Sequence, residues 1–407
     1  MKINVRAEQN ALMFFQRSTA RTAYINGEEL EVLIQWTNGK ENEFSKRLRQ
    51  LGILEDNQKE QIREQALLAK KKTAPLHSFC APESLHIELT ERCTLNCPQC
   101  YKSVSDKELP KEILEDILYQ AAEFGVFQIA FGGGEPLLYP YLSQAIAKTV
   151  QYKMACSITT SGNGLSKQRL NELKTLGLNH IQISLGGSRK EIHNYSRDGF
   201  FYGIEALQLL KQQKKEGNLT LSYGINWVAR MDNIDDFPSL VDLAKAVEAQ
   251  NINILRYKPS KKEEYKKVRL SKEKLLKLAA MVRGVSGIAI KVDSAFSFLL
   301  CHLNKRQGNF TGCGAGRRFL AVDAQGFLKP CSHVFFQEKS KSLKETWYHS
   351  KILEDFRQMN SSIGLPCKAC NYVNGCASCR AIIMAQRGNF YDGDEECPFI
   401  SSRFIQK

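Results

Sequence analysis

The chain has 407 residues, 43% hydrophobic and 25% charged, an ordinary soluble composition with length enough for two or three domains. No apolar stretch is long enough to cross a bilayer, and the opening MKINVRAEQNALMFFQRS lacks the apolar run of a secretory signal, so a cytoplasmic location is expected. Lys+Arg of 57 against Asp+Glu of 43 leaves a charge of +14, but the basic clusters Lys70 to Lys72, Lys211 to Lys215 and Lys258 to Lys267 lie near helix ends or in loops and read as solvated faces. Neither a membrane nor a nucleic acid is therefore the expected partner. In a reducing compartment the 13 cysteines are better explained by metal ligation than by disulfides.

From residue 1 to 60, Ala11 to Phe15 and Thr22 to Ile25 read as two short strands joined by a polar turn. Glu28 to Trp36 has helical spacing at Leu30, Leu33 and Ile34, and a second helical segment runs from Phe44 to Leu51. This is the pattern of a small winged-helix-like α+β module. It resembles the peptide-recognition domain fused to many maturases of ribosomally made peptides, in which a leader segment adds a strand to a sheet edge. A cap on the barrel or a dimer contact is the competing structural role. Residues 61–83, rich in Gln, Glu and Lys at their start, read as a helical or mobile linker.

From 84 to 295 strands and helices alternate. Leu85–Leu89, Phe127–Phe131, Ala155–Thr159, His180–Leu185, Leu221–Val228 and Ile252–Leu255 are the expected strands. Glu112–Phe124 and Ser166–Leu176 are among the intervening helices, the latter stopped by Gly177. Repeated βα units predict a parallel sheet with its chemistry at the carboxyl ends of the strands. There, directly after the first strand, stand Cys93-Thr94-Leu95-Asn96-Cys97-Pro98-Gln99-Cys100-Tyr101. Soft thiolates in one short loop suit an iron–sulfur cluster or zinc, and three local ligands leave a vertex open for a small molecule.

These residues resemble the radical S-adenosylmethionine (SAM) enzymes, whose CxxxCxxC cysteines hold a [4Fe–4S] cluster with SAM on the fourth iron. The resemblance implies a partial (βα)6 barrel and a 5′-deoxyadenosyl radical that takes a hydrogen atom from substrate. It implies metal-ligand roles for Cys93, Cys97 and Cys100. It also implies SAM contacts by the GGE segment Gly133, Gly134 and Glu135, by Ser184 at the ribose, and by Arg197, whose planar fork suits a carboxylate. Gly186 departs from the Asp that relatives commonly carry after the Ser-Leu pair. Gln99 stands where much of the superfamily has an aromatic residue, and with Tyr101 following it resembles the peptide- and sulfatase-maturing branch. His193 reads as a core or helix-start residue rather than a catalyst.

From 296 to 407 the order Cys313, Cys331, Cys367-x2-Cys370-x5-Cys376-x2-Cys379, Cys397 resembles the SPASM extension, which carries two auxiliary [4Fe–4S] clusters. Zinc ribbons are the alternative for paired CxxC knuckles. The resemblance assigns Cys313, Cys331 and Cys379 to the first auxiliary cluster, with Cys301 a candidate fourth ligand, and Cys367, Cys370, Cys376 and Cys397 to the second. The x2 spacing before Cys379 is one shorter than usual and Cys301 lies far upstream, so the first auxiliary cluster could have an open iron or be smaller. Cys156 reads as a buried hydrophobe and Cys80 as a free thiol.

Together these readings describe a radical SAM maturase, with three [4Fe–4S] clusters, that forms a thioether or carbon–carbon crosslink in a ribosomally made precursor peptide bearing a leader. A reductant such as flavodoxin or ferredoxin is implied. A formylglycine-generating sulfatase maturase and an RNA-modifying radical SAM enzyme are the alternatives. No side chain stands out as a catalytic acid or base.

Overall fold

Three strands open the chain as an antiparallel meander: β1 (Ile3–Glu8), β2 (Ala11–Gln16) and β3 (Arg21–Asn26). The computed structural model describes residues 3–258, 262–302, 312–334, 342–376, 378–394 and 396–399. The two expected strands are present, and β1 joins them. Its residues Ile3-Asn4-Val5-Arg6-Ala7-Glu8 alternate apolar and polar, the period of a strand, and the polar side carries Arg6 and Glu8. Both are buried and paired with one another.

Helices α1 (Gly27–Thr37) and α2 (Glu43–Gln50) match the helical segments, α2 starting at an Asn42–Ser45 capping box. The stretch read as linker instead begins with α3 (Lys59–Ala69), which buries Ile62, Ala66 and Ala69 against the small sheet. That helix is locked on by side chains: Gln58 donates to the Ile3 carbonyl at 3.1 Å and Gln65 accepts from Ala7 N at 2.8 Å. Its apolar face is only three small or medium residues wide, so composition hid it.

The main sheet begins with β4 (Ser84–Thr90) and continues through α4 (Lys111–Phe124), β5 (Gln128–Gly133), α5 (Leu142–Gln151), β6 (Ala155–Thr160), α6 (Lys167–Thr175) and β7 (His180–Leu185). After the short α7 (Lys190–His193) come α8 (Phe200–Lys215), β8 (Ser222–Ala229), α9 (Phe237–Ala246) and β9 (Asn251–Arg256). Then α10 (Lys262–Val268), α11 (Lys272–Gly284) and β10 (Ala289–Val292) extend the arc beyond the six expected strands. After α12 (Ser297–His302), β11 (Phe319–Val322) pairs in parallel with β4, and β12 (Leu328–Lys329) pairs antiparallel with β11. The sheet order is β10-β9-β8-β7-β6-β5-β4-β11-β12.

Register separates two faces of this arc. Leu85 and Ile87 pair with Ile129 and Phe131, and so on round to Ile252 and Ile254, all packed with Leu89 in one core with the helices. The opposite parity carries His86 and Glu88 on β4, Ala130 and Gly132 on β5, Ser157 and Thr159 on β6, Gln182 and Ser184 on β7, Asn226 on β8 and Asn253 on β9. A closed barrel fills its interior with branched apolar residues; this concave face is small and polar, suited to a polar ligand.

The remaining helices, α13 (Leu343–His349), α14 (Lys351–Ser362), α15 (Val373–Cys376) and α16 (Arg380–Arg387), pack beside the β4–β11 and β9 sides of the sheet. Trp347 is fully buried and its indole donates to the Phe79 carbonyl at 2.9 Å. The N-terminal module is clamped to the amino ends of β5 and β6, where Phe15 stacks on Phe127 at 5.2 Å.

Candidate functional site

The cysteine loop leaves β4 with two side chains, Leu95 and Gln99, buried beneath it. Cys93 and Cys97 are half-buried and Cys100 is exposed. Two distant segments hold the loop's backbone. From the β5 end, Gly134 N donates to the Thr90 carbonyl at 2.7 Å and Glu135 N to the Arg92 carbonyl at 2.9 Å. From the segment after α7, Gln99 N donates to the Ser196 carbonyl at 3.0 Å, Asn96 N to Asp198 Oδ2 at 3.4 Å, and Asp198 N to Cys97 Sγ at 3.5 Å.

The glycines are required by this contact. A Cβ on Gly133 would lie 2.4 Å from the Thr90 carbonyl oxygen, and one on Gly134 would lie 2.3 Å from that of Arg92. Glu135 is buried, and its carboxylate accepts from Thr160 Oγ1 at 2.6 Å, Ser161 N at 2.9 Å, Ser161 Oγ at 2.6 Å and Leu137 N at 3.2 Å. Burial raises its pKa while these hydrogen bonds oppose the shift. It therefore joins the end of β5 to the end of β6 beneath the loop.

Ser184 is buried on the concave face, opposite Asn226 on β8. Arg197 sits between the two residues that grip the cysteine loop, and its Nε is buried with no hydrogen-bond partner among the described groups. Asn253 Oδ1 and His333 Nδ1 are likewise unpartnered and buried. Asn253 belongs to the polar parity of the sheet, and buried polar atoms left without a partner fit an absent polar ligand. The Gly at 186 now has a physical reason: a Cβ there would lie 2.4 Å from Ser196 Oγ and 2.7 Å from the His193 carbonyl oxygen. His193 is buried and neutral, accepting from Gly186 N at 3.2 Å and contacting the Asp198 carbonyl through Nε2 at 3.2 Å; burial pushes its pKa down to about 4. It is the structural residue the sequence suggested.

Several residues of this site carry no local sequence signature. Glu88 accepts from Lys102 Nζ at 2.6 Å and from Tyr101 OH at 3.4 Å, and Lys329 Nζ stands 3.8 Å away. Lys258 is ion-paired with Asp293. Tyr101 packs on His333 with ring centroids 4.1 Å apart. Burial raises the Tyr101 pKa well above its ordinary value and lowers that of His333. A charged residue at alternate positions of LHIELT was the one available hint of this buried charge cluster.

The thiols fall into three neighbourhoods. Burial raises the Cys93 pKa, with Cys97 and Cys100 adding to the shift. Burial raises Cys331 to about 12, with Cys313 and Cys379 adding. Cys397 is raised to about 12 by burial, with Cys367 and Cys370 adding after Asp394. Cys376 ends α15, which packs on the short turn Cys367–Ala369. Cys301 lies on α12, and its side chain falls outside the described residues. Among the described residues no three His, Cys, Asp or Glu side chains close to the spacing of a single ion. Cys156 is buried and raised to about 12, as a hydrophobe should be; Cys80 is a free thiol, as expected, but a buried one, its N–H donating to Glu8 Oε2 at 2.5 Å.

The thiol trio at the mouth of this polar, partly closed parallel arc lies within residues 87–244, which match the Radical SAM superfamily. A match to that superfamily implies SAM and a [4Fe–4S] cluster. Among curated proteins the chain is similar to the PqqA peptide cyclase of Granulibacter bethesdensis, 26% identical over 352 residues, covering 80% of this chain and 90% of that protein. The PqqA peptide cyclase of Gluconobacter oxydans is 26% identical over 332 residues, covering 78% and 90%. Among solved structures, Streptococcus suis SuiB bound to S-adenosylmethionine superposes with a TM-score of 0.74 at 18% identity, covering 97% of this chain and 98% of that one. No helix is long and apolar enough to cross a membrane among the described residues.

Proposed function

We propose that this enzyme matures a ribosomally made precursor peptide by forming a crosslink within it. The observation that carries the reading is likeness over nearly the whole length of two PqqA peptide cyclases, 90% of each being covered. SuiB, which shares the fold from end to end, has been crystallised bound to a precursor peptide. The formylglycine and RNA-modifying readings gain no support from these relatives.

Cys93, Cys97 and Cys100 would hold the cluster on which SAM binds, and SAM so held supplies a hydrogen-abstracting radical. Gly133, Gly134 and Glu135 keep the cysteine loop in place under it, Arg197 Nε offers a buried donor to the SAM carboxylate, and Ser184 faces the ribose from β7. Cys313, Cys331, Cys379 and Cys301 would serve the first auxiliary cluster and Cys367, Cys370, Cys376 and Cys397 the second, making three clusters in all. These would accept the electron that crosslinking releases. The N-terminal module, with β3 at the sheet edge, would receive the leader by strand addition, and an acidic flavodoxin or ferredoxin would supply electrons to this basic, cytoplasmic protein.

The test is anaerobic incubation of reduced, cluster-loaded enzyme with SAM and the short peptide encoded beside its gene. A peptide lighter by two hydrogens per crosslink, mapped by fragmentation, is the expected product. Abundant deoxyadenosine with the peptide mass unchanged would overturn the crosslinking assignment. Removal of the N-terminal module should abolish modification of the leader-bearing peptide; full activity without it would favour a sulfatase-type substrate.

A further inference from the structure

A second buried charge network lies away from the SAM site, where β9 meets the cysteine-rich C-terminal part. Arg256, the last residue of β9, has a side chain only 5% exposed, and that of Asp394 is 1% exposed. Arg256 Nη1 donates to Asp394 Oδ2 at 2.8 Å and to the Ala295 carbonyl at 3.3 Å. Its Nη2 donates to Glu396 Oε2 at 3.1 Å and to the Tyr265 hydroxyl oxygen at 3.1 Å, and the guanidinium lies over Phe298 at 5.2 Å.

Asp394 reaches further. Its backbone N–H donates to Cys367 Sγ at 3.2 Å, its Oδ1 accepts from Glu396 N at 3.1 Å, and its Oδ2 accepts from the Ser378 hydroxyl. Ser378 immediately precedes Cys379, and Glu396 immediately precedes Cys397. One guanidinium–carboxylate pair thus ties together backbone beside cysteines of both auxiliary groups and anchors them to a barrel strand. A buried ion pair is weak evidence for stability, since apolar residues of similar volume often serve as well. An apolar pair, however, could not hold Ser378, Glu396 N and the β9 terminus at once.

We propose that Arg256 and Asp394 are positioning residues for the auxiliary iron–sulfur clusters: Asp394 is the clasp that sets Cys379 and Cys397 in register with Cys367, and Arg256 fastens that clasp to the barrel. The inference rests on the reading of these cysteines as cluster ligands. Groups that orient metal ligands without touching the metal commonly change its affinity by about 10- to 100-fold, and hydrogen bonding to cluster sulfurs shifts reduction potentials.

The experiment uses the full chain, purified and reconstituted anaerobically, as wild type, Asp394→Asn, Arg256→Met, Arg256→Lys and Cys367→Ala. Iron and sulfide per chain, low-temperature EPR of the reduced protein and iron loss to a chelator are measured, none of which needs substrate. Asp394→Asn and Arg256→Met are expected to lose auxiliary-cluster iron about tenfold faster, with changed auxiliary EPR signals. The EPR response of the first cluster to added SAM should stay as in wild type. Arg256→Lys, which keeps the charge, should restore much of the resistance. Wild-type iron retention and auxiliary spectra in both Asp394→Asn and Arg256→Met would overturn the proposal, and so would equal loss of the SAM-responsive signal, which marks general unfolding. If Cys367→Ala itself keeps the wild-type iron and spectra, the ligand assignment fails instead, a result distinguishable from failure of the clasp.

Discussion

Replacing Arg6 by methionine should loosen the N-terminal module from the barrel without unfolding either. Arg6 donates to the carbonyls of Pro82 at 2.9 Å, Gly125 at 2.8 Å and Ala81 at 2.9 Å, and its Nε to Glu8 Oε1 at 2.7 Å. Its guanidinium also lies over Phe127 at 4.5 Å. Methionine can fill the volume but offers no donor, so three carbonyls lose a partner and Glu8, 1% exposed, is left as a buried carboxylate without its cation. Breaking a buried pair from one side costs about 3–5 kcal/mol, most of it the stranded charge. Because the chain has several parts, global melting would blur the effect. Hydrogen exchange at the Cys80 amide, which donates to Glu8, reads it locally. Local opening should be about a hundredfold faster or more, given about 1.4 kcal/mol per tenfold. Arg6→Met combined with Glu8→Gln, which removes the stranded charge but keeps an oxygen to accept from the Cys80 amide, should recover much of the protection. Unchanged exchange in Arg6→Met, or a double variant worse than the single, would refute this reasoning.

Gly134→Ala, whose Cβ would collide with the Arg92 carbonyl oxygen, should displace the cysteine loop and cost the SAM-responsive EPR signal while leaving auxiliary iron in place. Gly186→Asp should destabilise the β7 end by about 2 kcal/mol or more through overpacking against Ser196 and His193, visible as a lower midpoint in urea. His193 has its pKa lowered to about 4, so the unfolded chain protonates first on acidification. Its contribution to stability is present above pH of about 6.5 and is lost as pH falls from there towards about 4, amounting to about 3 kcal/mol. Chemical denaturation of the wild type from neutral to mildly acid pH should show that slope, and His193→Asn should flatten it.

Much of the site was legible because its signals are local. CxxxCxxC at a strand end and GGGEP at the next carry their spacing in a few residues, and the strand positions followed from apolar alternation. What the carboxylate of Glu135 does was not legible: its partners Thr160 and Ser161 lie at and just past the end of β6, and only the sheet's register brings them to it. Asp198 escaped notice for the same reason, since its hold on Cys97 and Asn96 spans about a hundred residues. That α3 packs on the small sheet, beyond being a helical linker, was not legible because its buried face is narrow and its exposed face strongly polar.

By itself the sequence determined the repeating βα pattern, the thiol trio and the glycines beside it, because hydrophobic period and short motifs act over neighbouring residues. The tertiary structure alone decided that Arg6 and Glu8 are a buried clamp and that position 186 admits no side chain. Those outcomes depend on which distant segments pack together. A buried charge or a missing Cβ has meaning only once its surroundings are fixed.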